Sequence, residues 1–311
     1  MEKAYIILAH RNPTQLVRLL RKLDDDHSTF FIHIDKRVPM TAFSGLMNFG
    51  EKVHLVKRVI SNWATFGLVQ ATINALQEIR QSSLPFQRII LLSGQDYPIK
   101  TNKFINDFFT STPYSVFIES VMLPDYNRWK PGGGIYRVNK YFFGFHQYQK
   151  LTAKTFNMLG IIVPFLKRKA PGTMIPYAGS QWWTIDMYAL NYILDFLKNN
   201  SAYRRFHKAT FAPDELFFQG ILLNAKDEKL LNSIANDHKR YINWEDTRQC
   251  HPEVLQKYDF DEIEKSDALF ARKFDAEVDD EILDLIDSRC LSTKPYLKER
   301  ETAHSDSDLN N

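Results

Sequence analysis

Three groups of side chains in this sequence have the types and spacing to do chemistry: a pair of adjacent carboxylates, a set of cations late in the chain, and polar residues that directly follow apolar runs. Asp214 and Glu215 follow Pro213 at the start of a helical pattern, Pro213–Leu223. In the first turn of a helix the macrodipole favours an ionised carboxylate, and an anionic carboxylate can take a proton from a hydroxyl. Adjacent helical positions point about 100° apart, so one of the two faces a shared pocket; the residues alone leave open which, and both also suit plain first-turn dipole complementation. The cations are Arg240 in Asp237–Trp244, Arg248 in Asp246–Cys250, and Lys273 in Leu269–Asp275. Such side chains can neutralise a diphosphate that gains charge as it departs. Spacing does not rank the two arginines, and each cation taken singly also fits a solvated face.

The elements that must position these groups read as a β-α alternation. Ala4–Ala9 is an apolar run of strand length, and Pro13–Leu23 carries Leu16, Leu19, Leu20 and Leu23 at helical spacing. Strands over Phe30–Ile34, Lys52–Val56 and Arg88–Ser93 follow, with an amphipathic helix over Phe66–Ile79. This alternation predicts an α/β fold with a doubly wound, mainly parallel sheet. His10, Asp35, Ser61-Asn62-Trp63 and Asp96 then all leave carboxyl ends of strands, the edge where open α/β sheets bind ligands. Beyond Tyr114, Ser115–Glu119 and Gly179–Ile185 read as strands, Met187–Lys198 as a helix and Asp279–Ser288 as an acidic helix. Pro124–Gly134, with Arg128, Trp129 and three glycines, reads as a substrate loop.

Several functions are excluded or disfavoured. The dinucleotide glycine fingerprint and the P-loop lysine motif are both absent, and Gly132–Gly134 follows no clear strand, so it reads as a turn. Asp24-Asp25-Asp26 resembles a metal-binding Asp-x-Asp, but falls between a helix and the next strand, at the wrong edge of the sheet. Asp259-Phe260-Asp261 and the pair Asp306 and Asp308 are weaker matches, so no metal is expected. With 40 Lys and Arg against 37 Asp and Glu, the chain has no charge excess that implies a nucleic-acid partner. Cys250 and Cys290 are too few for a disulfide framework and are expected to remain thiols in a reducing compartment. The opening apolar run is too short for a signal peptide or membrane anchor, which leads us to expect a cytoplasmic protein.

Taken in order, these segments resemble the core-2/I-branching β-1,6-N-acetylglucosaminyltransferase family, which includes the peptide O-xylosyltransferases. The likeness runs from Ala4-Tyr5-Ile6-Ile7-Leu8-Ala9-His10-Arg11-Asn12-Pro13 through Phe31-Ile32-His33-Ile34-Asp35, Trp63-Ala64-Thr65-Phe66-Gly67, Leu91-Leu92-Ser93-Gly94-Gln95-Asp96-Tyr97-Pro98, Gly179-Ser180-Gln181-Trp182 and Pro213-Asp214-Glu215 to Leu269-Phe270-Ala271-Arg272-Lys273-Phe274. The resemblance implies a GT-A fold: a Rossmann-like, mainly parallel sheet with helices on both faces. It also implies a UDP-sugar donor, inversion at the anomeric carbon and no metal. Glu215 falls on the catalytic base, Lys273 on a diphosphate ligand, and Arg240 or Arg248 on the second. His10 and Asp35 fall beside the nucleoside, Ser180 and Trp182 beside the sugar and acceptor, and Arg128 and Arg137 on looser acceptor contacts.

The expected organisation is one glycosyltransferase domain over residues 1–298, with a nucleotide-binding half (1–114), an acceptor and catalytic half (115–298), and a disordered tail over 299–311. Lacking the stem and disulfides of animal members, the chain resembles a bacterial version acting on a glycan or lipid-linked glycan. N-acetylglucosamine is the expected sugar, with xylose as the alternative donor and a non-catalytic glycan- or nucleotide-binding protein as the alternative class. Phe156–Leu166, followed by Lys167-Arg168-Lys169, has two readings: a buried core segment, or an apolar face with basic neighbours lying peripherally on an inner membrane face.

Overall fold

A computed structural model describes residues 1–130, 132–244 and 252–292. The chain opens with β1 (Lys3–Ala9), α1 (Pro13–Leu23), β2 (Ser28–Ile34), β3 (Val53–Leu55), α2 (Phe66–Ser82) and β4 (Arg88–Ser93). A short strand β5 (Asp96–Pro98) and helix α3 (Asn102–Ser111) lead to β6 (Val116–Ile118) and β7 (Val121–Met122). After these come α4 (Tyr136–Asn139), α5 (Gln147–Ile162), β8 (Tyr177–Ala178), β9 (Trp183–Ile185), α6 (Met187–Asn199), α7 (Ser201–His207) and α8 (Phe217–Leu223). The described chain closes through α9 (Glu228–Asn232), β10 (Ile234–Ala235), β11 (Arg240–Ile242), α10 (Phe260–Lys265), β12 (Phe270–Arg272) and α11 (Glu281–Leu285).

The main sheet has seven strands in the order β10-β6-β9-β4-β1-β2-β3. All neighbours are parallel except β9, which runs against both β4 and β6. Successive residues of a strand face opposite sides, and β1 obeys this: Ala4, Ile6 and Leu8 enter one apolar cluster, Tyr5, Ile7 and Ala9 the other. Helices α2, α6 and α8 cover the first face, and α1 and α3 the second. Strand order reverses at β1 and β4, since β2 and β3 lie on one side of β1 while β4 and the later strands lie on the other. A second sheet, β11-β12-β5, carries the late basic segment to that reversal point.

The Asp24–Asp26 turn is structural. Asp25 accepts from the fully buried Lys3 at 2.7 Å, and Asp24 accepts from Lys52 at 2.6 Å.

Four expectations need correction. Pro213–Leu223 is not one helix: Pro213–Glu215 forms a 3-10 turn and α8 begins at Phe217. Glu215 is thereby outside the helix, and the first-turn dipole argument lapses. The break is tertiary, because Gly179 N donates to Glu215 O at 2.9 Å and takes the carbonyl from the helical ladder. Gly179–Ile185 is likewise shorter as a strand: only Trp183–Ile185 joins the main sheet, while Tyr177–Ala178, just before the segment, pairs with β7. The acidic helix is α11 followed by a wider π turn, Ile286–Cys290. Finally, Phe156–Leu166 is not a core segment, since Ile161 and Ile162 are both exposed.

Gly67 sits in the first turn of α2, where a Cβ would lie 2.1 Å from Ile60 O. The loop it touches contains Ser61, a partner of Asp35. Gly67→Ala should therefore lower unfolding free energy by about 1–3 kcal/mol, the usual cost of overpacking, which a chemical denaturation midpoint will register.

Candidate active site

The site forms along the carboxyl edge of the main sheet. After β1, Arg11 pairs with Asp275 and Asn12 Nδ2 donates to it at 2.6 Å. After β4, Gln95 O accepts from Phe274 N at 2.8 Å, while Gln15 Nε2 bridges Gly94 O and Phe274 O. The Lys273–Asp275 segment is thus tied to both loops at the point where strand order reverses, the usual ligand crevice of an open α/β sheet. Burial, reinforced by the charges of Arg272 and Arg11, pushes the Lys273 ammonium below its ordinary range. His10 is exposed on the first of these loops.

Asp35 is buried at the end of β2. One oxygen accepts from Arg37 N and Nε, both at 2.9 Å, and the other from Ser61 N and Oγ, both at 2.8 Å. Burial opposes its charge, but the Arg37 and Ser61 donors prevail and hold the carboxyl well below the usual carboxylate range. Asp96 accepts from Ser93 N at 2.6 Å and faces Arg272 Nε at 3.4 Å, an ion pair without hydrogen-bond geometry. Arg272 lies over the Trp182 ring, 4.1 Å from its centroid. The motif containing Lys273 drew attention away from this neighbour. A basic residue closing the apolar run Leu269-Phe270-Ala271 was the available signal, because a buried guanidinium must meet an acid or an aromatic face.

Arg240 is buried. It donates to Leu91 O at 3.1 Å, Trp183 O at 3.4 Å and Thr184 Oγ1 at 3.4 Å, and also to His238 O. Burial pushes it down to about 10. Its donors link β4, β9 and β11, so Arg240 bridges the sheet. Arg248 lies outside the described residues.

Glu215 stands at the end of the 3-10 turn with its side chain 32% exposed, and accepts from Arg137 Nη1 at 2.5 Å. Arg137 is only 6% exposed and lies between the Trp129 ring, 4.8 Å from its centroid, and the Phe211 ring, at 5.9 Å. Burial opposes its charge, yet Glu215 outweighs that and raises it. Arg137, expected as an acceptor contact, is therefore also the partner that orients Glu215. Arg128 pairs with Glu119, which His238 also meets at 3.0 Å. Burial opposes the Glu119 charge, but the hydrogen bond with His238 and the charge of Arg128 bring the carboxyl down to about 2.

Two loops meet beside Glu215 through Ala212 N, which donates to Ala64 O at 3.1 Å. Both alanines have left-handed backbones, φ 47° and 57°, a conformation that disfavours residues with a Cβ. This contact sets the half-exposed Trp63 against Phe211, with Phe145 stacked at 5.6 Å, so Trp63 belongs to the aromatic wall near Glu215. Ser180 O accepts from the buried Gln219 at 2.6 Å. Among the described residues no three His, Cys, Asp or Glu side chains are grouped to hold a metal ion.

The class that the fold and site define is an open α/β sheet with a crevice at its strand-order reversal and a partly exposed carboxylate held by a buried guanidinium. The chain belongs to the Core-2/I-Branching enzyme family, whose model matches residues 3–267. It is 23% identical to xylosyltransferase 2 of Rattus norvegicus, over 94% of this chain and 34% of that protein. It is 22% identical to the β-1,3-galactosyl-O-glycosyl-glycoprotein β-1,6-N-acetylglucosaminyltransferase 4 of Mus musculus, over 70% of this chain and 46% of that one. The chain thus spans about a third of the length of the xylosyltransferase 2 relatives. Among solved structures, mouse xyloside xylosyltransferase 1 in its apo form aligns with a TM-score of 0.36 and 12% identity, covering 86% of this chain and 97% of that one.

Asp214, beside Glu215, is fully enclosed with Oδ1 unpartnered. Burial first, and the Glu215 charge second, push it up to about 7. The folded protein therefore holds a proton on Asp214 that the unfolded chain releases near pH 4. The folded state binds more protons across that interval, so stability falls as pH rises from about 4 to about 7. Asp214→Asn should remove up to about 1.4 kcal/mol per pH unit of that slope, and should stabilise the protein above pH 7. Denaturation series at several pH values check this.

Proposed function

We propose that the chain is an inverting glycosyltransferase that moves a sugar from a UDP-sugar to a hydroxyl of a glycan or lipid-linked glycan. The observation that carries the reading is Glu215: a partly exposed carboxylate fixed by Arg137 and linked through Gly179 to the segment bearing Ser180 and Trp182. In the reaction Glu215 accepts the proton of the acceptor hydroxyl as that oxygen forms its bond to the anomeric carbon. The bond from that carbon to the diphosphate oxygen breaks on the opposite face, so configuration inverts. The negative charge left on the diphosphate is met by Lys273 and Arg272, with Arg240 or Arg248 the further candidate. His10 and Asp35 border the nucleoside, Asp96 holds Arg272 in register, and Trp182 and Trp63 offer ring faces to the sugars.

In this reading side-chain cations perform the charge neutralisation and the reaction needs no divalent ion. N-acetylglucosamine is the favoured sugar and xylose the competitor, the two activities named among the relatives. A non-catalytic binding protein is the less favoured reading, because sugar binding alone gives no reason to orient a partly exposed carboxylate with a buried guanidinium.

Glu215→Gln should lower kcat by about 10²–10⁴ while leaving UDP affinity within about twofold, since the amide keeps the side chain's size. Transfer that survives this change would sink the base assignment. In a separate assay, turnover should persist in excess EDTA; an absolute need for manganese contradicts the cation assignment.

A further inference from the structure

The surface most at odds with an ordinary protein exterior is helix α5 and the turn after it. Helix α5 touches the body along a narrow seam in which only Ala153 and Gly160 are buried, and Asn157 exchanges two hydrogen bonds with the Tyr141 main chain, at 2.8 and 3.1 Å. Leu151, Thr155, Met158 and Ile162 follow each other at spacings of four, three and four residues, one line along a helix. That line is opposite the seam, and its apolar members point away from the protein. Ile161, Ile162 and Phe165 are 83%, 77% and 85% exposed, the most exposed large apolar side chains among the described residues. Soluble surfaces scatter such residues singly; a contiguous patch marks an interaction site.

Charge singles out the occupant. From Tyr126 to Ile185 the sequence holds nine lysines and arginines and no aspartate or glutamate, while the remainder of the chain is net acidic. Lys150, Lys154, Lys167 and Lys169 flank the apolar line and are exposed. Arg168, in the middle of the basic triplet, is instead buried. It donates to Arg137 O at 2.6 Å, Lys140 O at 2.8 Å, Val138 O at 3.1 Å and Phe206 O at 2.9 Å. It rivets the apolar tip to the segment that contains Arg137, the partner of Glu215. No helix among the described residues is long and apolar enough to cross a membrane.

We propose that the outer face of α5 with the Val163–Lys169 turn is a peripheral docking surface for an anionic lipid bilayer. The apolar line enters the interfacial layer, the four exposed lysines meet lipid phosphates, and Arg168 fixes the angle between the bilayer and the Glu215 cleft. A second copy of this chain is a poor fit, because two such faces would bring eight lysines together without an acid from either segment.

The test is flotation of the full chain with phosphatidylcholine vesicles, with and without phosphatidylglycerol. Wild type should float with the anionic vesicles, release with added salt, and bind neutral vesicles at least tenfold more weakly. Two variants that leave Arg168 intact, Lys150→Gln/Lys154→Gln/Lys167→Gln/Lys169→Gln and Ile161→Ser/Ile162→Ser/Phe165→Ser, should each lose on the order of tenfold in binding. Both should keep wild-type circular dichroism and turnover of a soluble acceptor. Equal flotation of wild type and both variants overturns the proposal, as does no flotation at all. A dimer in light scattering that the serine variant dissociates also overturns it, by giving the face to a second copy. Flotation does not require turnover, so its failure leaves the assignment of Glu215 untouched.

Discussion

The buried guanidinium of Arg137 constrains the whole site. A guanidinium keeps its charge, and a charge taken out of water must be paired or the fold pays several kcal/mol. Trp129 and Phe211 cover its faces and supply no acid, so Glu215 is the carboxylate that meets it. Breaking such a pair costs about 3–5 kcal/mol, which exceeds the roughly 1–3 kcal/mol of strain carried by a left-handed residue such as Ala212. The same pair sorts the two acids. Glu215 takes the Arg137 guanidinium, while burial, with the field of Glu215 added, pushes Asp214 up to about 7.

The second sheet has a comparable positional logic. A basic segment late in the sequence can reach the crevice between β1 and β4 only if something carries it there, and the antiparallel pairing of β12 with β5 does so: Ala271 lies opposite Tyr97, and Arg272 opposite Asp96. Asp96 is thus set across from Arg272 by strand register, whereas Asp35 spends its oxygens on Arg37 and Ser61 and locks the neighbouring loop. Arg240 shows the other use of a late cation. Inside the sheet its donors satisfy carbonyl oxygens of β4 and β9.

These roles also separate what the sequence could reveal from what it could not. The spans of α1 and β4 were readable to the residue, because a period of 3.6 with Pro at the start, or a short apolar run ending at a turn, depends on local geometry. The place of Asp24–Asp26 between α1 and β2 was equally readable from topology. The division at Leu216 was not, since it follows from a hydrogen bond between residues 36 positions apart, Gly179 N to Glu215 O. Arg240 and Arg272 look alike as letters. Both lie over an aromatic ring, Phe270 for Arg240 and Trp182 for Arg272; they differ in that Arg240 donates to backbone carbonyls while Arg272 faces Asp96, and only the folded chain brings either set into contact.

The exposed apolar helix poses an energetic question of its own. Fully burying a side chain such as Ile or Phe stabilises a fold by about 1.5–3 kcal/mol, so Ile161, Ile162 and Phe165 together forgo several kcal/mol in the isolated chain. The fold also buries Arg168 with four carbonyl acceptors to hold the tip outward, although burial alone pushes that guanidinium down to about 10. If the segment only had to be soluble, polar residues at these three positions and a shorter turn would cost less and would release Arg168. The expenditure makes sense when the tip meets an apolar medium elsewhere. Because Arg168 bonds to the carbonyl of Arg137, that encounter would be rigidly coupled to the direction in which Glu215 faces.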